Sequence, residues 1–303
     1  MSRIHEALKK AEQERAATNG GASHPTFPST IAPVLDQVHE RPMIAGHATP
    51  SFASPLSLET LLLRCPQRDW KPDTGTMLFM NGNDSVRGTE QYRTLRSRLY
   101  HLREKMTLKT LLVTSALPRE GKSFTAANLA QVMVRQHGKR ALLIDADLRG
   151  PRLHSMLGAA PGPGLSEYLH GKKDELSIMQ RGRLDNLFFI PSGTSIEDPA
   201  ELVGSERLKT FLQRVAPLFD WIILDSPPAI AVADASLLAK VCDGVLMVVR
   251  SNITPADAAR RARMEFPDQT LVGIVLNGTS TSEAPYSHYY SEAYHKKRTA
   301  TES

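Results

Sequence analysis

Apolar runs near 109–115, 140–145, 187–191, 220–225, 243–250 and 271–277 are rich in Leu, Ile and Val and carry few charges. Their length and continuity fit strands buried on both faces rather than half-exposed ones. Between them, apolar residues recur at helical spacing, as in Ala126, Ala127, Leu129, Val132 and Met133. Strand and helix patterns therefore alternate from about 109 to 277. That alternation predicts one α/β domain with a mostly parallel sheet covered by helices on both faces.

The first strand runs into Ser115-Ala116-Leu117-Pro118-Arg119-Glu120-Gly121-Lys122-Ser123, and a helical run follows at once. Strand, Gly-Lys-Ser loop and helix in that order predict a phosphate-binding loop. Loop amides and the helix N-terminus would cradle the phosphates of ATP. Lys122 would reach the β/γ-phosphates, and the Ser123 hydroxyl would sit on Mg²⁺. The full loop pattern has Gly where this chain has Ala116. The nucleotide site is placed on Pro118, Glu120, Gly121, Lys122, Ser123 and Phe124.

Two further runs end in acids. Ala141-Leu142-Leu143-Ile144 leads into Asp145-Ala146-Asp147-Leu148-Arg149, and Trp221-Ile222-Ile223-Leu224 leads into Asp225-Ser226-Pro227-Pro228. In an open parallel sheet, ligands bind outside the carboxyl ends of the strands. These acids would thus gather at the Lys122 loop, with Asp145 and Asp225 joining Ser123 at Mg²⁺. A single such Asp would more simply cap a helix; two beside the loop argue for a metal site.

The order PREGKS, LLIDADLRGPRLH and WIILDSPP resembles the bacterial tyrosine autokinases of exopolysaccharide and capsule synthesis, from about Ser85 to the C-terminus. These are similar to the partitioning ATPases of the ParA/MinD type. The resemblance implies a P-loop NTPase fold of the deviant Walker type. The partitioning group usually carries a second lysine where this chain has Leu117. The kinases add the Asp145-x-Asp147-x-Arg149 motif. The resemblance puts Arg149 at the nucleotide, Lys122 in catalysis, and Asp145 or Asp147 as acceptor of the phenol proton. It also implies an oligomerisation helix over 85–105, through Glu90, Arg93 and Arg96. Residues 85–109 hold seven Lys/Arg and two Asp/Glu, a local charge of 7 − 2 = +5. On charge alone this is a basic helix with a solvated face, or one that meets nucleic acid.

Four of the seven tyrosines, Tyr286, Tyr289, Tyr290 and Tyr294, fall in the last 18 residues, among polar neighbours without an apolar period. A buried role does not fit them; docking on a partner through the rings does. The family carries such a cluster as its own substrate, so the resemblance implies autophosphorylation, in trans around a homo-oligomeric ring. The nine residues from Asn277 to Tyr286 reach at most ~30 Å, enough to cross a subunit boundary. A membrane polysaccharide co-polymerase or chain-length regulator as activator, and a cognate tyrosine phosphatase, follow from the same resemblance. So does a cytoplasmic place, peripheral at the inner face of the membrane through a partner.

Composition narrows the rest. The hydrophobic fraction of 41% allows a proper core, and the charge of +5 sits in local patches, among them Arg260-Arg261-Arg263. No nucleic-acid partner is expected. Two separate cysteines, Cys65 and Cys242, give no disulfide framework or metal motif. No signal-peptide pattern is visible at the start and no apolar run reaches a membrane span. Residues 1–17 form an amphipathic helix with Ile4, Leu8 and Ala11 on one face. Residues 18–84 are a mostly disordered linker, with Trp70 and Phe79 as candidate anchors in its last part. The kinase domain is 85–277 and the tyrosine tail 278–303. The leading alternative is a non-kinase ATPase switch of the ParA/MinD type; a degenerate nucleotide-binding regulatory subunit has only Ala116 in its favour.

Overall fold

A computed structural model of the chain describes residues 56–65, 67–79, 88–194, 198–268 and 270–279. The expected helix over 1–17 and the tail tyrosines lie outside them. All six expected strands form: β1 (Thr110–Ser115), β2 (Ala141–Asp145), β4 (Leu187–Ile190), β5 (Trp221–Asp225), β6 (Gly244–Arg250) and β7 (Leu271–Asn277). A two-residue β3 (Gln180–Arg181) joins them. The sheet order is β3-β4-β2-β5-β1-β6-β7, parallel throughout except that β3 runs antiparallel to β4. β3 is too short to leave a period in the sequence.

Every residue of β1, β2 and β5 is buried. Alternate side chains therefore feed two cores. One face holds Leu111, Val113, Leu143 and Ile223 under helices α2 (Thr89–Arg103) and α3 (Lys122–Val134). The other holds Leu112, Leu142, Ile222 and Leu224 under α4 (Leu165–Leu169), α5 (Glu206–Val215) and α6 (Asp234–Ala239). Eleven of the thirteen residues of α3 are buried, because it lies between the sheet and a segment from upstream.

That segment corrects the expectation of a linker over its described residues, 56–65 and 67–79. Helix α1 (Leu58–Arg64), capped by Ser57, buries Leu61, and the chain then straps across the domain. Gln67 bridges to Arg181 of β3, and Trp70 lies edge-on to Phe189 at 6.0 Å. Gly182 is needed there, since a Cβ would come within 2.3 Å of the indole. Further on, Asn128 of α3 reads the strap backbone. Its Oδ1 accepts from Leu78 N at 2.8 Å, and its Nδ2 donates to Thr76 O at 2.9 Å. Met77 and Phe79 are buried beside it. The sequence shows two aromatic anchors here; the strap is fixed as much by an amide reading backbone, which no local pattern announces.

Replacing Asn128 with Ala strands a buried N–H and C=O of the strap. The expected cost is about 3 kcal/mol of unfolding free energy, read by urea denaturation, with faster proteolysis within 67–79.

Candidate nucleotide and phosphoryl-transfer site

Strand register builds the site. β2 and β5 are neighbours, and Asp145 pairs with Asp225 across them. β1 lies on the other side of β5, so the loop that follows it opens beside both acids. Lys122 Nζ, on the first residue of α3, donates to Asp147 Oδ2 at 2.8 Å and to Ser123 Oγ at 3.3 Å, and stands 3.9 Å from Asp225 Oδ1. Lys122, Ser123, Asp145, Asp147 and Asp225 are all buried, so the sequence-expected group converges.

The electrostatics are those of a cation site. Burial pushes the Asp145 carboxyl well above the usual range, and repulsion from Asp225 adds to it. Burial likewise raises Asp225 to about 6, with Lys122 opposing. Burial works against the Lys122 ammonium, but Asp225 and Asp147 outweigh it and hold its pKa above the ordinary lysine value. Three carboxylates face one ammonium, a formal −3 + 1 = −2. Asp145 Oδ2 accepts from the Arg152 and Leu153 amides, at 3.2 and 3.1 Å, whereas its Oδ1 has no partner. Neither oxygen of Asp225 makes a well-formed hydrogen bond, although the Ser123 hydroxyl and the Ser226 amide face it. Orphaned buried oxygens with an excess of two negative charges fit Mg²⁺, a hard cation held by one or two carboxylates, phosphates and waters.

The loop has its own scaffold. Glu120 turns inward: its Oε2 accepts from Leu117 N at 2.8 Å, and its Oε1 meets the Thr254 hydroxyl. The Glu120 side chain thus braces the loop instead of facing a ligand. Ala116 is fully buried in the core and has no positive φ, so this position needs no glycine. Gly121 does: its φ is +97°, and a Cβ would lie 2.1 Å from Asn277 Nδ2. Pro118 is exposed at the loop surface. Phe124 follows Ser123 and stacks edge-on with Tyr92, 6.2 Å between centroids.

Arg149 departs from the expected placement. Its guanidinium forks onto Asp234, with Nε at 2.8 Å and Nη2 at 3.0 Å, although it stays within electrostatic reach of Asp147. The pair ties the loop after β2 to the start of the helix Asp234–Ala239; its partners are 85 residues apart and leave no local signal. On α2, Glu90 pairs with Arg93 one turn on, and Arg96 Nη1 donates to Val132 O at 2.9 Å, near the C-terminus of α3. One donor of Arg96 is therefore used within the chain. Thr94, Ser97, Arg98 and His101 form the exposed face of that helix. Sequence reasoning also missed Asp234, Thr254, Arg250 and the contact of Asn277 with the loop.

A family model described as ParA, NUBPL iron-transfer P-loop NTPase, matches residues 107–302. Tyrosine-protein kinase YwqD of Bacillus subtilis is 37% identical over 204 residues, covering 67% of this chain and 86% of that protein. Tyrosine-protein kinase wzc of Salmonella typhimurium is 31% identical over 216 residues, 71% of this chain but 30% of that protein. The chain thus spans most of the first relative and less than a third of the second. Among solved structures, the kinase domain of Escherichia coli tyrosine kinase ETK superposes with a TM-score of 0.62 at 28% identity, over 73% of this chain and 87% of that one. The chimerical protein CapA2B2 gives 0.62 at 26% identity, over 70% and 93%.

The charge cluster sets a pH dependence for the metal-free protein. Asp225 has a folded pKa near 6 against 3.8 for the free group. A raised acid stabilises the fold below the lower value, and that contribution is lost as pH rises through the upper one. The metal-free Tm should therefore fall between about pH 4 and pH 6. Asp225→Asn should flatten that slope and raise the metal-free Tm at pH 7; calorimetry across this range checks both.

Proposed function

The chain belongs to the bacterial tyrosine-protein kinases, within the ParA group of P-loop NTPases, and we propose that it is an autokinase. It transfers the γ-phosphoryl group of ATP to its own tail tyrosines, Tyr286, Tyr289, Tyr290 and Tyr294. The observation that carries this reading is the cluster of Lys122, Ser123, Asp145, Asp147 and Asp225 at one sheet edge. The tail leaves from that same edge, because Asn277 ends β7 against the loop.

In the transfer, the bond from the γ-phosphorus to the ADP oxygen breaks as a bond to the phenolic oxygen forms. The transition state is loose, so positioning and charge stabilisation do most of the work. Mg²⁺, when bound, neutralises phosphate charge and fixes the phosphoryl geometry. Ser123, Asp145 and Asp225 would hold it. Lys122 leaves Asp147 for the phosphates, which frees Asp147 Oδ2. A phenol, with a pKa of ~10, is protonated at neutral pH. The freed Asp147 is then the better placed acceptor of its proton, with Asp145 the alternative. Glu90, Arg93 and Arg96 contribute to an interface between copies of the chain, which lets one copy's tail reach another's site. Arg149 stays an outer residue of the nucleotide site through Asp147.

The wider role is regulation of exopolysaccharide or capsule polymerisation and export. A membrane co-polymerase would activate the kinase and hold it at the inner face of the membrane, and a tyrosine phosphatase would reverse the modification. The chimerical protein CapA2B2 joins a CapA part to a CapB part, as its name says, and that pairing agrees with such a partnership. Among the described residues no helix is long and apolar enough to cross a membrane. The iron-transfer description of the family model gains no support from the cysteines. Cys65 donates to Met179 O, and Cys65 and Cys242 are both free thiols.

Intact-mass and phosphotyrosine mapping of the purified chain with ATP and Mg²⁺, and with an activating partner's cytoplasmic tail if needed, tests the proposal. Phosphate should map to Tyr286–Tyr294 and vanish in Lys122→Met and in a chain ending at Asn277. ATP hydrolysis with no phosphotyrosine would favour the ATPase switch.

A further inference from the structure

The phosphate loop is shaped from the side opposite the acids. Asn277, the last residue of β7, donates from Nδ2 to Glu120 O at 2.9 Å. Arg250, the last residue of β6 and the register partner of Asn277, donates from Nη1 to Arg119 O at 3.1 Å. The two strand ends are also tied to each other, since Ser251 N donates to Asn277 O at 2.8 Å. Consecutive loop carbonyls are thus pulled outward, toward β6 and β7.

A trans peptide sends its N–H opposite to its C=O. Holding the carbonyls of Arg119 and Glu120 outward therefore turns the amides of Glu120 and Gly121 inward, toward the phosphate position. The dihedrals agree: Arg119 has φ 66° and Gly121 φ 97°, both left-handed. Alternation of left- and right-handed residues makes successive amides converge into an anion-binding nest. No protein acceptor meets the Glu120 or Gly121 amide among the described residues. A left-handed Arg119 is unfavourable in itself, so something must hold it; the outward carbonyl contacts are what the structure provides.

We infer that Asn277, supported by Arg250, is a positioning residue for nucleotide. It fixes the amide nest before ATP arrives, through the Glu120 carbonyl and through its packing against the Cα of Gly121. This rests on the nucleotide-binding reading above and extends it to the strand from which the tail departs. Asn277 need not touch the reacting atoms.

The test uses the full chain and Asn277→Asp, which keeps size but replaces the donor with an acceptor against Glu120 O. MgADP affinity by calorimetry should fall about tenfold or more, the scale of one hydrogen bond lost and a repulsion gained. The KM for ATP should rise in parallel, with kcat changed by less than about threefold. The nucleotide-free Tm should stay near wild type, while the stabilisation by MgADP shrinks. Arg250→Ala should show the same pattern more weakly. An Asn277→Asp chain that binds MgADP as wild type does overturns the inference. So does a nucleotide-free Tm that drops with the affinity, which would make the residue structural. A wild-type chain that binds MgADP but forms no phosphotyrosine would count against the kinase reading alone, because affinity is the readout here.

Discussion

The structure turns on three buried carboxylates sharing one ammonium. Strand register puts Asp145 beside Asp225, and the turn after β2 brings Asp147 to Lys122. Such a cluster is costly in a dry interior unless a cation completes it. Lys122 alone leaves two formal negative charges and orphaned oxygens on Asp145 and Asp225. The fold accepts this cost at the one edge where a phosphate-bound divalent ion would offset it.

Everything around the cluster serves to hold it still. Leu142 to Ile144 and Ile222 to Leu224 bury the strands that deliver the acids. The Arg149–Asp234 fork ties the acid-bearing loop after β2 to the start of the helix Asp234–Ala239 from outside. Across the site, Thr254, Arg250 and Asn277 fix the phosphate loop to β6 and β7. Beneath it, Asn128 and the strap seat α3, whose first residues are Lys122 and Ser123. An aromatic path runs from Phe79 of the strap through Tyr92 of α2 to Phe124, with centroid separations of 6.3 and 6.2 Å. The upstream segment, the helix assigned to oligomerisation and the nucleotide loop thus share one packed seam.

How much of this was legible in the sequence depends on the range of the signal. Continuous apolar runs gave all six long strands, but the expected burial on both faces fails for β7, which forms the sheet edge and leaves Ile274 and Leu276 exposed. Gly121-Lys122-Ser123 and the acid-ended strands were expected to converge and do, because each is local and the sheet brings strand ends together. Ala116, out of pattern on paper, is an ordinary core residue. What stayed hidden is made by partners far apart in sequence. Arg149 turns to Asp234, Glu120 braces Leu117 and Thr254, and Asn128 captures backbone some 50 residues upstream. The polar, Pro-containing stretch before residue 84 looked like linker because its anchors are few, yet Trp70, Met77 and Phe79 suffice to dock it.

The most direct test of the account is a mixing experiment. A chain truncated after Asn277 keeps the site but has no tail; Lys122→Met keeps the tail but loses the charge that the phosphates require. The two are combined with ATP, Mg²⁺ and any activating partner segment, and phosphotyrosine is mapped on the Lys122→Met chain. Phosphate on Tyr286–Tyr294 of that chain, absent when either protein is incubated alone, is the predicted result. An unmodified tail, while the wild-type chain labels its own tyrosines under the same conditions, would contradict transfer between copies.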